Sequence, residues 1–172
     1  MLARICFIFY IILIIASCSS SKYAASNKIY KRQVKTFAKE IKKFPLDGTR
    51  GTWVGTTNFG LRKPDFVIIH HTAQNSCEQT LRTFTLKRTQ VSAHYLICKD
   101  GTVYQLVSEL YRAWHAGLGK WGNITDVNSA SIGIELDNNG NEIFSDKQIA
   151  SLLVLLQSLK QRYHIPTANF VG

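Results

Sequence analysis

Residues 131–137 read Ser-Ile-Gly-Ile-Glu-Leu-Asp, and this stretch decides how the rest of the chain is arranged. Side chains alternate between the two faces of a strand, so Ile132, Ile134 and Leu136 share one face while Gly133, Glu135 and Asp137 share the other. The apolar face needs a cover. Ser145 precedes Gln148 by three, a capping-box spacing, and Ile149, Leu152, Leu153, Leu156, Leu159 and Tyr163 then recur at helical spacing up to Pro166. Upstream, His94 to Cys98 and Thr102 to Val107 flank Lys99-Asp100-Gly101, where Asp-Gly permits the positive φ of a tight hairpin. Farther upstream, Phe66 to His70 is a short β-branched run opened by Pro64-Asp65, which reads as a buried strand. Ser76 and Gln79 form another capping box, before a helix with Leu81 and Phe84 on its apolar side. Phe170-Val171 begins a last strand. Strands interleaved with helices, plus one hairpin, predict an α/β fold: a mixed β-sheet flanked by helices, with no internal repeat.

The 172 residues suffice for one compact unit, and 45% hydrophobic and 19% charged residues with 3 Pro and 11 Gly exclude a disordered or collagen-like chain. The formal charge of +10 is uneven. Residues 1–50 hold 10 Lys/Arg against 2 Asp/Glu, and residues 51–172 hold 11 against 9. A nearly neutral domain on a basic tail argues for a charged tether and against nucleic-acid binding, which needs Lys and Arg across the folded surface.

Arg4 is followed by an apolar run from Ile5 to Ala16, then Ser17 and Cys18. The run is short of the about 20 residues that span a bilayer and fits the central region of a signal peptide. Ile15-Ala16-Ser17-Cys18 resembles a bacterial lipobox, which predicts a lipoprotein signal peptide over 1–17 and a lipidated Cys18 as first mature residue. Ser19 after that cysteine points to the outer membrane, facing the periplasm. Residues 18–50 then form a lipidated basic tether, and residues 51–172 the domain. Within the tether, Val34, Phe37, Ile41 and Phe44 recur at helical spacing among Lys31, Arg32, Lys35, Lys39, Lys42 and Lys43. Two readings of this 30–44 helix stand: it lies on anionic lipid beside the acyl anchor, or its apolar stripe packs on the domain. Pro45, Asp47 and Gly48 end it with turn chemistry.

Five histidines, His70, His71, His94, His115 and His164, are the first candidates for chemistry, yet none sits in a zinc-type spacing, and Gly-rich phosphate loops are absent. His70 and His71 point to opposite strand faces, so one is expected to ligate and the other to pack. His94 shares a face with Leu96 and Cys98 and reads as a buried structural histidine. His164 follows a helix end, where the dipole favours a cation. Whether Cys77 and Cys98 pair is open, since one precedes a helix and the other ends a strand.

Four strings occur in order: Phe66-Val-Ile-Ile-His70-His-Thr-Ala73; Val91-Ser-Ala-His94-Tyr-Leu-Ile-Cys-Lys-Asp-Gly-Thr-Val-Tyr104; Arg112-Ala-Trp-His115-Ala-Gly117; and Asn128-Ser-Ala-Ser-Ile-Gly-Ile-Glu135-Leu. Together they resemble the zinc-dependent N-acetylmuramoyl-L-alanine amidase type 2 family, which includes peptidoglycan recognition proteins, from about Asp65 to Gly172. The resemblance implies Zn2+ as cofactor with His70 as a ligand, and Glu135 as general base. It also implies peptidoglycan or muropeptides as substrate, met by a loop of Trp114, His115, Ala116 and Gly117. Some relatives carry a catalytic Tyr where this chain has Ala93, which puts it in the Glu-using branch. Gly133, beside Glu135, is expected to leave room for a substrate backbone. The family's second zinc His, its Lys and its third ligand follow the Phe-Val-Gly strand, and so would come after Gly172. These 172 residues by themselves are therefore expected to hold no stoichiometric zinc and to show no amidase activity, whether as a fragment of an active enzyme or as a natural truncation. The alternative to the enzyme is a non-catalytic peptidoglycan-binding module, whose muropeptide binding would ignore chelators and Glu135→Gln.

Overall fold

A computed structural model of the chain describes residues 22–43 and 61–172. The expected signal peptide 1–17, Cys18 and the turn at Pro45, Asp47 and Gly48 lie outside the described residues. The chain divides into two units, 1–55 and 56–172. In the first, the basic segment forms α1 (Ala24–Lys43), which begins before the expected Tyr30 because Ala24 and Ala25 extend the helix at no propensity cost. Its Phe37 and Ile41 side chains are exposed. No described helix is long and apolar enough to cross a membrane.

The second unit is built on five strands: β1 (Phe66–His71), β2 (Tyr95–Ile97), β3 (Val103–Gln105), β4 (Ser131–Leu136) and β5 (Phe170–Val171). Their spatial order is β3-β2-β4-β1-β5; β3 is antiparallel to β2 and the other neighbours are parallel. Among the described residues three α-helices accompany them: α2 (Cys77–Thr85), the short α3 (Val127–Ala130) and α4 (Asp146–Tyr163). The fold is thus the mixed, helix-flanked sheet that the alternation of elements predicts.

The alternation in β4 sorts its side chains as the sequence requires. Ile132, Ile134 and Leu136 join Val67, Tyr95 and Ile97 in one cluster, closed by Leu152 and Leu159 of α4 and by Ile165. Ser145 caps α4, its hydroxyl accepting from the Gln148 amide at 3.1 Å. Gln148 does not close the expected capping box. Its side chain is fully buried and donates to the carbonyls of Ile97 (2.9 Å) and Asp137 (3.2 Å), tying the start of α4 to the ends of β2 and β4. The helix ends at Tyr163, before Pro166, with His164 left-handed at its cap. Gly101 takes the positive φ of the hairpin turn, at 87°, and a Cβ there would sit 3.0 Å from the Lys147 carbonyl oxygen, so α4 also requires this glycine. The hairpin strand β3 is shorter than expected, since the Leu106 and Val107 amides both turn to the carbonyl of His94.

Two further ties hold the frame. Cys77 and Cys98 form a disulfide, which pins the first turn of α2 to the end of β2. The Glu109 carboxylate is buried, accepts two bonds from Arg162 at 2.8 Å and one from Tyr163 at 2.9 Å, and also accepts from the Tyr95 hydroxyl. Burial alone would raise its pKa, but these donors outweigh it and hold the group below the usual carboxylate range.

Candidate active site

The face of the sheet opposite α4 carries the polar residues. His70 of β1 and Glu135 of β4 are direct partners in the parallel register, both next to last in their strands, and Leu96 of β2 is Glu135's other neighbour. Partners in register point the same way, so the two side chains rise side by side, strands about 4.8 Å apart. This is the carboxyl end of the parallel strands, where open α/β sheets place their ligands.

Glu135 is 8% exposed, and its Oε2 has no hydrogen-bond partner among the described residues. Burial with no compensating charge raises its carboxyl to about 7. Such a group takes or gives a proton near neutrality. His70 is shifted below its ordinary value, first by burial and then by the adjacent His71, and so stays a neutral imidazole. Its Nε2 lies 3.1 Å from His115 Nδ1.

His115 reaches the site from a loop that Asn128 moors. The Asn128 Oδ1 accepts from the amides of His115 and Ala116, each at 2.9 Å, and its Nδ2 donates to the Gly117 carbonyl at 3.1 Å. The imidazole then lies flat against β4: a Cβ on Gly133 would stand 2.2 Å from its Cγ. The room beside Gly133 is therefore filled by His115, which corrects the expectation of an opening for substrate there. Glycine removed a side chain from the strand so that an imidazole could pack in its place. Burial, and after it the neighbouring His94 and His70, push the His115 pKa down to about 3. Trp114, in contrast, turns its indole outward at 49% exposure, with its backbone bonded in both directions to Ser92. Ala116 is half-buried and Gly117 exposed in the same loop.

His94 is fully buried and structural in its contacts: Nδ1 accepts from the Gly133 amide at 3.0 Å, and Nε2 faces the Tyr111 carbonyl at 3.0 Å. Burial leads the fall of its pKa to about 4, and the charge of Arg62 adds to it. Arg62 itself has no signal in the sequence. Its guanidinium gathers the carbonyls of Ser129 (2.5 Å), Glu109 (2.8 Å), Ser131 (3.2 Å) and Asn128 (3.3 Å), bracing the turn that feeds β4. His71 points to the opposite face from His70 and is exposed. His164 is the left-handed cap at the end of α4.

Two features of the strand ends suit the zinc implied by the resemblance: the imidazole of His70, and a buried carboxyl at Glu135 whose Oε2 has no hydrogen-bond partner among the described residues. The described residues do not complete a ligand set, since among them no group of three or more His, Cys, Asp or Glu side chains is placed to hold a metal ion.

A mixed sheet that brings an imidazole and a raised carboxyl together at the ends of two parallel strands, with an exposed Trp nearby, defines an α/β domain with one polar sheet face. The chain belongs to the N-acetylmuramoyl-L-alanine amidase family (Amidase_2), whose profile matches residues 60–172. It is 37% identical over 122 residues to the N-acetylmuramoyl-L-alanine amidase AmiD of Escherichia coli (strain K12), covering 62% of this chain and 43% of the relative. It is also 37% identical over 83 residues to the 1,6-anhydro-N-acetylmuramyl-L-alanine amidase AmpD of Citrobacter freundii, covering 48% of this chain and 44% of the relative. The chain thus spans less than half the length of these curated relatives. Among solved structures, E. coli AmiD in complex with the substrate anhydro-N-acetylmuramic acid-L-Ala-D-gamma-Glu-L-Lys superposes with a TM-score of 0.59 at 34% identity, over 69% of this chain and 51% of that one. AmpDh3 of Pseudomonas aeruginosa in complex with anhydromuramic pentapeptide gives 0.57 at 30% identity, over 72% and 55%.

Proposed function

We propose that the protein hydrolyses the amide bond between the lactyl group of N-acetylmuramic acid and L-alanine in peptidoglycan or muropeptides. The observation that carries this reading is Glu135: a buried carboxyl whose Oε2 has no hydrogen-bond partner among the described residues, raised to about 7 by burial, beside His70 at the ends of two parallel strands. Amide hydrolysis needs a proton taken from water and a proton given to the leaving amine, and a group whose pKa lies near the working pH does both. Glu135 accepts the proton of the attacking water and returns it to the L-alanine nitrogen. His70 is one zinc ligand in this reading; the ion, when bound, supplies Lewis acidity at the carbonyl oxygen and acidifies the water. Trp114, with Ala116 and Gly117 beside it, offers an indole face to the sugar or peptide. E. coli AmiD and AmpDh3, each solved with an anhydromuramyl peptide bound, support this substrate class.

The protein purified as its cell makes it should release L-alanine-headed peptides from muropeptides, lose that activity in chelator and regain it with zinc. Release that persists unchanged after chelation would remove zinc from the account.

Placement in the envelope, on the outer membrane facing the periplasm, is part of the same proposal. A lipidated Cys18 and the basic α1, with Phe37 and Ile41 exposed, give the two signals that stable membrane anchoring needs, and the Cys77–Cys98 bond suits an oxidising compartment. Radiolabelled fatty acid should enter the wild-type protein and not Cys18→Ser; equal labelling of both excludes that anchor.

A further inference from the structure

The polar atoms running from His70 inward form a chain whose direction is set at its inner end. Ser131 Oγ lies 2.5 Å from the Val127 carbonyl oxygen. A carbonyl only accepts, so the one hydroxyl proton occupies that contact, and Ser131 has nothing but lone pairs left to offer its other neighbour. That neighbour is His115 Nε2, at 3.3 Å, which must therefore donate. A buried neutral imidazole carries a single proton, so His115 Nδ1 is a lone pair. His70 Nε2, 3.1 Å from it, is then the donor. The proton of His70 is accounted for, and its Nδ1, which has no hydrogen-bond partner among the described residues, holds the free lone pair.

We propose that His115 is a positioning residue which, with Ser131, fixes His70 as its Nε2–H tautomer and so presents Nδ1 to the site. The inference deepens the function proposed above and rests on its reading of His70 as a site residue. Histidines that bind metal commonly give their other N–H to a fixed acceptor, which sets both tautomer and ring direction. Here the acceptor is another imidazole, itself locked in place. Its backbone is held by Asn128, its ring fills the space over Gly133, and the Gly133 amide is in turn bonded to His94 Nδ1. Rigid surroundings of this kind favour one tautomer, whereas a free imidazole in water samples both. His115 accordingly acts through His70 and not on substrate, although it belongs to the loop that carries Trp114.

The test is nitrogen NMR of the metal-free 172-residue chain with 15N-labelled histidine at about pH 8, well above the ordinary imidazole range. The wild type should show His70 with a protonated Nε2 and an unprotonated Nδ1, their two shifts widely separated. In His115→Phe that separation should shrink as the two tautomers mix, and in His115→Asn, which keeps an acceptor, it should be largely restored. Gly133→Ala should reproduce the shrinkage without removing any imidazole, because its Cβ displaces the His115 ring. A proton on Nδ1 in the wild type overturns the proposal outright, even if a variant fails to fold. So does a His70 spectrum unchanged in both His115→Phe and Gly133→Ala. Since the readout needs neither metal nor turnover, it stands apart from activity: protein purified as its cell makes it and inactive even with added zinc would sink the amidase reading, while the expected tautomer would leave this assignment standing.

Discussion

Glu135→Gln should reduce release of L-alanine-headed peptides by at least about 100-fold, the lower end of what a general acid–base residue contributes. Gln keeps the size of the side chain and loses the ability to carry the proton, so the loss should appear in kcat. The same substitution has a second, opposite effect. Because burial raises the folded pKa of Glu135 from the ordinary 4.5 to about 7, the native state holds this proton more tightly than the unfolded chain does. The native state is therefore penalised progressively as pH rises from 4.5 to about 7, and the penalty is complete above that window. A shift of this size corresponds to about 3 kcal/mol, an upper bound for one buried carboxyl. Urea denaturation of the metal-free chain should thus find Glu135→Gln more stable than wild type at about pH 8, and nearly equal at about pH 4. Full activity in the variant, or a variant less stable than wild type at the higher pH, contradicts the role given to this side chain. A residue that weakens the fold in order to stay unpaired is what a proton-transfer site requires.

Loss of the Cys77–Cys98 bond is the second large effect. The bridge closes a separation of 21 residues, for which the chain-entropy account gives about 3 kcal/mol. Replacing both cysteines by serine should lower the Tm by roughly 10 °C in a domain of this size. The first turn of α2 would lose its tie to β2, while the Ser76 cap, which accepts from the Gln79 amide at 3.2 Å, would still hold the helix start. The sheet ends bearing His70 and Glu135 do not depend on that tie, so activity at low temperature should survive. A Tm indifferent to the serine substitutions or to reducing agent would show that the constraint contributes nothing.

The elements that could be read from the sequence are those whose pattern is local. β4 alternates so cleanly that the face carrying Glu135 follows from its neighbours, and α4 shows its stripe over most of its length. That His70 and Glu135 meet is implied only by the family resemblance; which strands are neighbours, and in what register, is set by the folded sheet. What stayed hidden depends on contacts between distant segments. Gly133 announces that something approaches the strand closely, but the missing Cβ does not say whether substrate or an imidazole fills the gap. Gln148 has the spacing of a cap partner, and only the ends of β2 and β4, packed against it, divert its amide to their carbonyls. Arg62 looks like any surface arginine until the turn around Asn128 folds over it. The pairing of Cys77 with Cys98 needed the distance between a helix start and a strand end, which no periodicity supplies.

The most direct measurement of the central claim follows where the oxygen of water goes. Intact and anhydro muropeptides, incubated with the protein in water enriched in heavy oxygen, should yield peptides with a free, unlabelled L-alanine amine. The label should appear in the lactyl carboxylate of the muramic acid fragment. Label in the peptide, or a sugar-to-peptide amide left whole while another bond is cut, would contradict the reaction assigned to Glu135 and His70.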